Sequence, residues 1–363
     1  MTQVKKTALF DQHRHAGAQM VVYAGWEMPL HYGSQIKEHH AVRSDVGIFD
    51  VSHMTLTRIA GKEARLYLRT ILANDVGKLE RSGTALYSCL LNEAGGVVDD
   101  LIVYRLEEDD FLVVSNAGTR ERVRQWFTQA AVSHDVRIAP QDDHAIIAVQ
   151  GPRSRPVLER IFPSVADDIA GLARFCFFRY QNSFIACTGY TGEDGFEIIV
   201  PKGEAVAFWK RLITAGAQPA GLGARDSLRL EAGYNLYGVD MDEETTPLES
   251  GLEWSIAWQP ADRTFVGRAA LESLKRTGVK KKRTGILLEG KGVFRNQQNV
   301  FLDDRQVGII TSGGFSPTLG RAIALARVEH SVTGQVHVEI RGRRHLAKVV
   351  NPPFILEQDQ DTI

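Results

Sequence analysis

The chain has 363 residues, of which 44% are hydrophobic and 24% charged, and its formal net charge is -1. This composition is typical of a soluble globular protein, and the length predicts two or three domains. A charge so close to neutral gives no electrostatic reason to expect a nucleic acid or an anionic membrane as a partner, and no apolar run is long enough to span a bilayer.

The start of the chain and the cysteines predict a cellular location. No apolar signal core follows Lys5 and Lys6, so secretion is not expected. The cysteines, Cys89, Cys176 and Cys187, form neither a CxxC pair nor an even disulfide framework. We therefore expect reduced thiols in or near the core and a cytoplasmic protein.

Hydrophobic periodicity predicts a mixed α and β organisation in the first part of the chain. Apolar residues spaced by three and four predict amphipathic helices over 64–72 and 123–130. Between them, apolar runs predict strands over 85–91, 101–105 and 111–115. Helix, three strands and helix, joined by short turns, indicate an α+β unit with an antiparallel sheet.

A second α+β stretch and a β-rich end follow. Strands are predicted over 145–149, 175–180, 184–188 and 196–200, with a helix around 205–215. The basic run from Lys275 to Arg283 is predicted to be a linker. Beyond it, glycines separate short predicted strands over 284–288, 307–311, 322–328 and 336–340. This end is predicted to be a small all-β barrel or sandwich.

Several common chemistries lack their sequence signals. Neither a complete dinucleotide-binding glycine motif nor a phosphate-binding P-loop is present, and no nucleophile elbow is found. The histidine pairs near the N-terminus lack further residues to complete a ligand set, so no metal site is predicted. Surface or capping positions are expected for these histidines: His13, His15, His39 and His40.

Two adjacent carboxylates, Asp99 and Asp100, follow the Gly95-Gly96 turn and open an apolar strand. Because side chains alternate along a strand, Asp100 shares a face with Tyr104 while Asp99 takes the other face. A carboxylate beside a tyrosine suits ligand binding. A hairpin followed by a solvated strand start explains the same residues equally well.

The segment from Thr188 to Ile198 combines a glycine-rich turn with a strand that carries Glu197. A carboxylate among apolar residues is costly unless it faces water or meets good donors, such as the parallel N–H groups of a flat heterocycle. A solvent-facing glutamate on an edge strand is the alternative.

The next polar segment is predicted to be helical, with Arg225 and Arg229 one turn apart, Glu231 pairing locally and Gly233 ending the helix. The planar fork of Arg225 suits a carboxylate or a carbonyl, and a structural salt-bridge cluster is the alternative.

The order of motifs along the chain resembles the aminomethyltransferases of the glycine cleavage system, the T-proteins. The similar segments extend from near Ala8 to about Pro353. They are 25–29, 38–43, 49–54, 92–100, 189–197, 224–233, 245–249, 265–268, 311–314 and 316–320.

This resemblance implies a three-domain clover-leaf α+β fold around a central folate cavity. Two interleaved α+β domains with antiparallel sheets are expected, one over 1–50 and 142–275 and a ferredoxin-like one over 51–141. A C-terminal β-barrel or jelly-roll-like domain is expected over 276–363.

The resemblance also implies an activity and a set of site residues. Tetrahydrofolate is the expected co-substrate, lipoylated H-protein the expected partner, and no metal, nucleic acid or membrane is expected. Asp100 matches the essential carboxylate, and Glu197 and Arg225 match pterin and substrate contacts. The expected folate-pocket residues are Met54, Tyr87, Tyr104, Asn116, Tyr190 and Tyr234.

Two departures and two rival functions accompany the resemblance. The segment 320–328 is more basic than the corresponding family strand, and the tail after Phe354 is acidic. One rival is another folate-dependent one-carbon enzyme on this scaffold, although no flavin domain is appended. The other is a folate-binding paralogue that assists iron–sulfur assembly, whose cysteine motif is absent near Arg263.

Overall fold

The structure, a computed structural model, describes residues 4–355. Its α-helices are α1 (Phe10–His15), α2 (Gln35–Ser44), α3 (Ala64–Ile71), α4 (Arg120–Ala130), α5 (Ser154–Ile161), α6 (Ala166–Gly171), α7 (Lys202–Thr214), α8 (Leu222–Glu231) and α9 (Arg268–Thr277). Short 3-10 helices cover Val76–Lys78, Pro163–Val165 and Glu253–Ser255.

The strands of the first part are β1 (Lys5–Lys6), β2 (Gln19–Tyr23), β3 (Trp26–His31), β4 (Gly47–Asp50), β5 (Thr55–Ala60), β6 (Thr84–Leu91), β7 (Val97–Glu107), β8 (Asp110–Ser115), β9 (Arg137–Pro140), β10 (His144–Gln150), β11 (Phe177–Tyr180), β12 (Ser183–Ala186), β13 (Gly195–Pro201) and β14 (Gln218–Pro219). The last part contains β15 (Lys281–Leu288), β16 (Asn299–Leu302), β17 (Arg305–Ser316), β18 (Arg321–Glu329), β19 (Gln335–Ile340) and β20 (Arg343–Val350).

The predicted fold class is confirmed as mixed α+β with antiparallel sheets and a C-terminal barrel. Helices α3, α4 and α7 lie where the apolar spacing predicts them, and so do strands β6, β7, β8, β10 and β13. The periods of 3.6 and 2 are local properties, so the sequence carries them directly.

The described residues form two compact units. The first contains residues 4–68, 76–87 and 101–226, and the second contains 69–75, 88–100 and 227–355. Strands β6 and β7 and helix α8 each contribute residues to both units. The clover-leaf arrangement and the boundaries of three domains stay predictions.

The first unit is built on a six-stranded sheet with the order β11-β12-β13-β10-β4-β14. One face packs on α5 and α7 in a core that includes Phe196, Ile198, Leu158 and Trp209. The opposite face presents Glu197, because side chains alternate along β13. A five-stranded sheet, β6-β7-β8-β5-β9, and a small sheet, β1-β3-β2, complete the strands of this part.

The second unit contains a closed barrel with the order β15-β18-β17-β16-β19-β20, in which β20 pairs back to β15. Alternate residues such as Ile286, Ala324 and Val338 fill its core. Closure gives every strand two partners, which is the physical advantage of a barrel over an open sheet.

The predicted linker at 275–283 is wrong. Lys275 and Arg276 form the last turn of α9, where cations stabilise the helix dipole, and Gly278 follows at a positive φ of 86°. Strand β15 begins at Lys281, and Arg283 donates to the carbonyl of Gly233 at 2.6 Å. The charge run is therefore ordered secondary structure. The acidic tail lies outside the described residues from 356 onward.

The predicted surface positions of the histidines are wrong for His13 and His39, which are buried. His13 lies on helix α1 and contacts Asp50 at 2.9 Å and the Tyr32 hydroxyl at 2.7 Å. These bonds compensate burial of the ring. The three cysteines are free, and Cys89 and Cys187 are buried as expected of core thiols.

Within residues 4–355, none of the helices combines the length and apolar character needed to cross a membrane.

Candidate active site

The predicted site residues are distributed over both units. Seven lie in the first unit, and Asp100 and Tyr234 lie in the second. Glu197 and Tyr104 are buried. The others are half-buried: Met54, Tyr87, Asp100, Asn116, Tyr190, Arg225 and Tyr234.

Glu197 lies on an inner strand, which corrects the alternative of an edge-strand glutamate facing solvent. Strand β13 is paired on both sides, so Glu197 lies between Ala148 of β10 and Ala186 of β12. The side chain is only 8% exposed. Two alanine neighbours leave room beside the carboxylate, whereas larger residues would crowd it.

A chain of hydrogen bonds reaches Glu197 from strand β7. The Thr188 hydroxyl donates to Glu197 Oε2 at 2.7 Å, and the Tyr104 hydroxyl lies 3.1 Å from Thr188 Oγ1. Burial, followed by the nearby Glu197 charge, raises the pKa of Tyr104 above its ordinary value, so the phenol stays protonated. The hydrogen bond from Thr188 therefore anchors Glu197 through Oε2.

The Tyr104 ring is held by aromatic packing. It meets Phe177 and Phe184 edge-to-face at 5.5 and 5.1 Å, and these two phenylalanines stack at 4.3 Å. Such pairs contribute beyond their buried area and fix ring orientation. The structure therefore places the ring in the core of the first unit, with its hydroxyl directed at Thr188.

The glycine-rich segment after Thr188 is fixed through Gln150. The Gln150 amide donates to the Thr188 carbonyl at 3.1 Å and accepts from the Thr191 hydroxyl at 2.8 Å. A Cβ at Gly189 would lie 2.0 Å from Gln150 Oε1, and one at Gly195 would lie 2.5 Å from its Nε2. A Cβ at Gly195 would also lie 2.7 Å from the Val149 carbonyl, so this close approach to backbone requires glycine there, whereas at Gly189 the obstacle is the end of the Gln150 side chain.

Arg225 contacts the ring of Tyr190. The guanidinium carbon lies 4.5 Å from the centre of the Tyr190 ring, which is a cation–π contact. The contact joins the start of α8 to the glycine-rich segment.

His53 is a further candidate site residue that the sequence did not single out, although it lies inside the segment 49–54. Burial, followed by the nearby charge of Arg225, lowers the pKa of His53 to about 3, so the imidazole is neutral. Its Nδ1 is buried without a hydrogen-bond partner among the described residues. The Tyr23 ring meets the imidazole edge-on at 5.7 Å. No local pattern signals this position, because the neighbours come from distant segments.

Met54 and Asn116 adjoin a paired position of the five-stranded sheet, where Thr55 of β5 lies opposite Ser115 of β8. The Met54 carbonyl accepts from Arg120 at 3.2 Å. Leu101 of β7 pairs with Ser115 on its other side. These pairings fix the backbone on which Met54 and Asn116 are carried.

Asp100 belongs to the part of β7 that lies in the second unit, after a tightly held turn. A Cβ at Gly96 would lie 1.8 Å from the Glu243 carbonyl, so only glycine fits. The Asn92 side chain fixes the turn by accepting from Gly96 N at 2.9 Å and donating to the Glu243 carbonyl at 3.0 Å. Asp99 is fully buried and Asp100 is half-buried, as strand alternation requires, so a solvated strand start is wrong for Asp99.

The second half of α8 is structural. Arg229 pairs with Asp240 at 2.9 Å and donates to the Ser312 hydroxyl at 2.9 Å. Glu231 accepts from the Ser316 hydroxyl and from the Thr318 hydroxyl, which lie far from it along the chain. The segments around Ser312 and Thr318 serve here as polar partners of α8. Tyr234, just beyond Gly233, donates its backbone N–H to the Arg229 carbonyl at 2.9 Å.

Among residues 4–355, no group of three or more His, Cys, Asp or Glu side chains is placed to hold a metal ion.

Comparison with known proteins gives consistent matches along the chain. The family model described as the GCVT N-terminal domain matches residues 9–260, and that of the glycine cleavage T-protein C-terminal barrel domain matches residues 281–355. An aminomethyltransferase of Nitrosococcus oceani is 52% identical over 352 residues, which is 97% of this chain and 95% of that protein. The crystal structure of glycine cleavage system aminomethyltransferase T from Bartonella henselae matches with a TM-score of 0.90 at 34% identity, covering 97% of this chain and 98% of that one.

Proposed function

The chain belongs to the glycine cleavage T-protein family of aminomethyltransferases, and from this premise we propose a specific reaction. The protein takes the one-carbon unit from an aminomethyl group carried on the lipoyl arm of H-protein and transfers it to tetrahydrofolate in the cytoplasm. The carbon–sulfur and carbon–nitrogen bonds break, and the carbon forms bonds to N5 and N10 of the folate. Their two protons leave on the thiol and on ammonia, so atoms and charge balance without a redox step.

The observation that carries the folate part of this proposal is the Glu197 carboxylate. It is buried on an inner strand and is anchored through Oε2 by the Thr188 hydroxyl. An ionised carboxylate offers about four acceptor positions, and one bond to Thr188 leaves enough for a pair of N–H donors. The amino-substituted edge of a reduced pterin presents such donors.

The other site residues receive the roles implied by their motifs. Arg225, half-buried against Tyr190, contacts substrate through its guanidinium group. The folate pocket is lined by Met54, Tyr87, Asn116, Tyr190 and Tyr234. Tyr104 acts on this pocket through its hydroxyl, which contacts Thr188, rather than through its packed ring.

Asp100 is assigned to the reacting carbon. When the aminomethyl group loses its bond to sulfur, positive charge develops on carbon, and a fixed carboxylate stabilises that charge. The carboxylate also orients the acceptor nitrogen, and proton transfer by such a group is typically worth ~10²–10⁴-fold in rate. We favour positioning and electrostatic stabilisation, because the departing amine carries protons itself.

The test is reconstitution with aminomethylated H-protein, with ammonia release measured in the presence and absence of tetrahydrofolate. Folate-dependent ammonia release from the wild-type protein is expected. Asp100→Asn is expected to bind tetrahydrofolate with near wild-type affinity and to lose turnover by ~10²-fold or more.

The matched control is Glu108→Gln, which removes an exposed acidic group at the other end of the same hairpin. Its activity should equal that of the wild type. A near wild-type rate for Asp100→Asn would refute the role of Asp100. Absence of folate-dependent ammonia release from the wild type would refute the proposed reaction.

A further inference from the structure

We propose that Thr188 and Tyr104 are positioning residues, which hold the Glu197 carboxylate in the orientation that receives the folate. This inference rests on the proposed function, in which Glu197 contacts the pterin. Neither hydroxyl is assigned to the folate itself, because both residues are buried and their hydrogen bonds lead to Glu197 Oε2.

The number of hydroxyl protons fixes which group donates and which accepts in the hydrogen bonds between Tyr104, Thr188 and Glu197. A threonine hydroxyl has one proton, and the 2.7 Å contact with a carboxylate commits that proton to Glu197 Oε2. In the 3.1 Å contact with Thr188 Oγ1, Tyr104 must therefore be the donor. The hydrogen bonds therefore run from Tyr104 to Thr188 and from Thr188 to Glu197 Oε2.

Both donors are immobilised. The Tyr104 ring packs edge-to-face against the stacked pair Phe177 and Phe184, and the backbone carbonyl of Thr188 accepts from Gln150. Because Tyr104 and Thr188 are both held in place, the hydrogen bond from Thr188 holds the Glu197 carboxylate in one orientation.

The carboxylate itself depends on this chain for its orientation. Its cross-strand neighbours are Ala148 and Ala186, which are too short to confine the rotatable bonds of a glutamate. The Thr188 hydroxyl is its hydrogen-bond donor among the described residues. Without that hydroxyl, Glu197 should keep its charge, but its carboxylate should no longer be held in one orientation. Folate binding would then have to fix that orientation, which costs free energy and weakens binding.

The experiment compares Thr188→Val, which keeps the shape and removes the hydroxyl, with Thr188→Ser, which keeps the hydroxyl. Tetrahydrofolate affinity is measured by calorimetry, and kcat and KM for tetrahydrofolate come from ammonia release at saturating H-protein. Thr188→Val should weaken folate binding and raise KM by about tenfold, with kcat at saturating folate changed less than about twofold, because hydrogen bonds to charged groups are among the strong ones. Thr188→Ser should restore wild-type values.

Tyr104→Phe is the second variant, and it removes the first donor of the chain without changing the packed ring. A smaller increase in KM, about threefold, is expected, because Thr188 still bonds Glu197 directly. Thr57→Val is the matched control. It removes a buried hydroxyl of the first unit that has no hydrogen-bond partner among the described residues, so folate binding should not change.

Unchanged folate affinity and KM in Thr188→Val, with a wild-type protein that binds folate, would overturn this inference and leave the proposed function intact. A lowered free energy of unfolding with unchanged affinity of the folded protein would also overturn it, because the hydroxyl would then be structural only. Failure of the wild type to bind tetrahydrofolate would overturn the proposed function and, with it, this inference. If Thr188→Val does not fold, the Tyr104→Phe result decides in the same way.

Discussion

Two buried glutamates, one in each unit, show how one side chain takes different parts in this protein. Glu231 at the end of α8 accepts from the Ser316 hydroxyl and the Thr318 backbone N–H at Oε1, and from the Thr318 hydroxyl at Oε2. Glu197 on β13 is nearly as buried, but the donor to it among the described residues is Thr188, at Oε2 alone.

The difference lies in how fully the protein itself compensates each charge. Burying a carboxylate costs several kcal/mol unless hydrogen-bond donors replace its hydration. Several hydrogen bonds to the charged group are needed to offset a cost of that order. The donors around Glu231 come from strand β17 and the turn after it, so they fix the end of α8 within the second unit. Glu197 accepts one hydrogen bond, from Thr188, which leaves acceptor positions for a ligand.

Removing Glu231 is expected to give the largest effect on stability. Glu231→Ala leaves the buried hydroxyl of Ser316 and the groups of Thr318 without their acceptor, so the free energy of unfolding should fall by about 3 kcal/mol or more. Urea unfolding measures this change. Glu253→Ala, which removes an exposed glutamate of the same unit, is the control and should stay within about 0.5 kcal/mol of wild type. Equal stability of the two variants would mean that the full set of donors around Glu231 contributes little.

Replacing Glu197 should affect binding more than stability. Glu197→Gln keeps an acceptor for Thr188 but lacks the charge, and its amide presents donors where the ligand needs acceptors. Tetrahydrofolate affinity should fall by about 10–100-fold, while the free energy of unfolding changes by less than about 1 kcal/mol. Calorimetry and urea unfolding measure the two quantities. Glu204→Gln, an exposed change on α7, is the control. A large loss of stability with unchanged folate affinity would place Glu197 in the same structural class as Glu231.

His53 is a third buried titratable group, and it avoids the cost of burying a charge by remaining neutral. Its pKa is lowered from 6.5 to about 3 in the folded protein, so the unfolded chain binds the proton more tightly over this interval. The contribution of His53 is therefore complete above pH 6.5 and lost as the pH falls toward 3. The loss between pH ~6.5 and ~5.5 should be about 1 kcal/mol.

Urea unfolding at the two pH values checks this expectation in the wild type and in His53→Asn, whose side chain does not titrate in this range. The variant should lose about 1 kcal/mol less than the wild type over the interval. Burial acts to raise the pKa of Asp50, but the hydrogen bond and charge of His13 outweigh it, so the pKa is lowered from 3.8. The stability that depends on ionised Asp50 is therefore lost at lower pH than the interval tested here. His40→Asn, at an exposed position, is the control, and equal pH dependence of wild type and His53→Asn would contradict a neutral buried imidazole.

Roles that depend on strand order or on distant partners are not visible in the local sequence. The basic run at 275–283 predicted a linker, but its residues end α9 and begin β15. Glu197 is indistinguishable from an edge-strand glutamate until β10 and β12 are seen on either side of it. The hydroxyls of Ser316 and Thr318 that donate to Glu231 lie more than eighty positions away, so no local pattern predicts them.

The sequence by itself determined the secondary structure of the main helices and strands, the all-β character of the C-terminal end, and the family, while closure of the barrel is seen in the structure. These follow from short-range periodicity and from motifs that are contiguous in the chain, such as the segment around Glu197. Only the tertiary structure decided which buried charges are fully bonded, which way the Tyr104–Thr188–Glu197 chain runs, and why His53 is neutral. Hydrogen-bond partners and desolvation arise from packing between distant segments, and neither is encoded in the local spacing of residues.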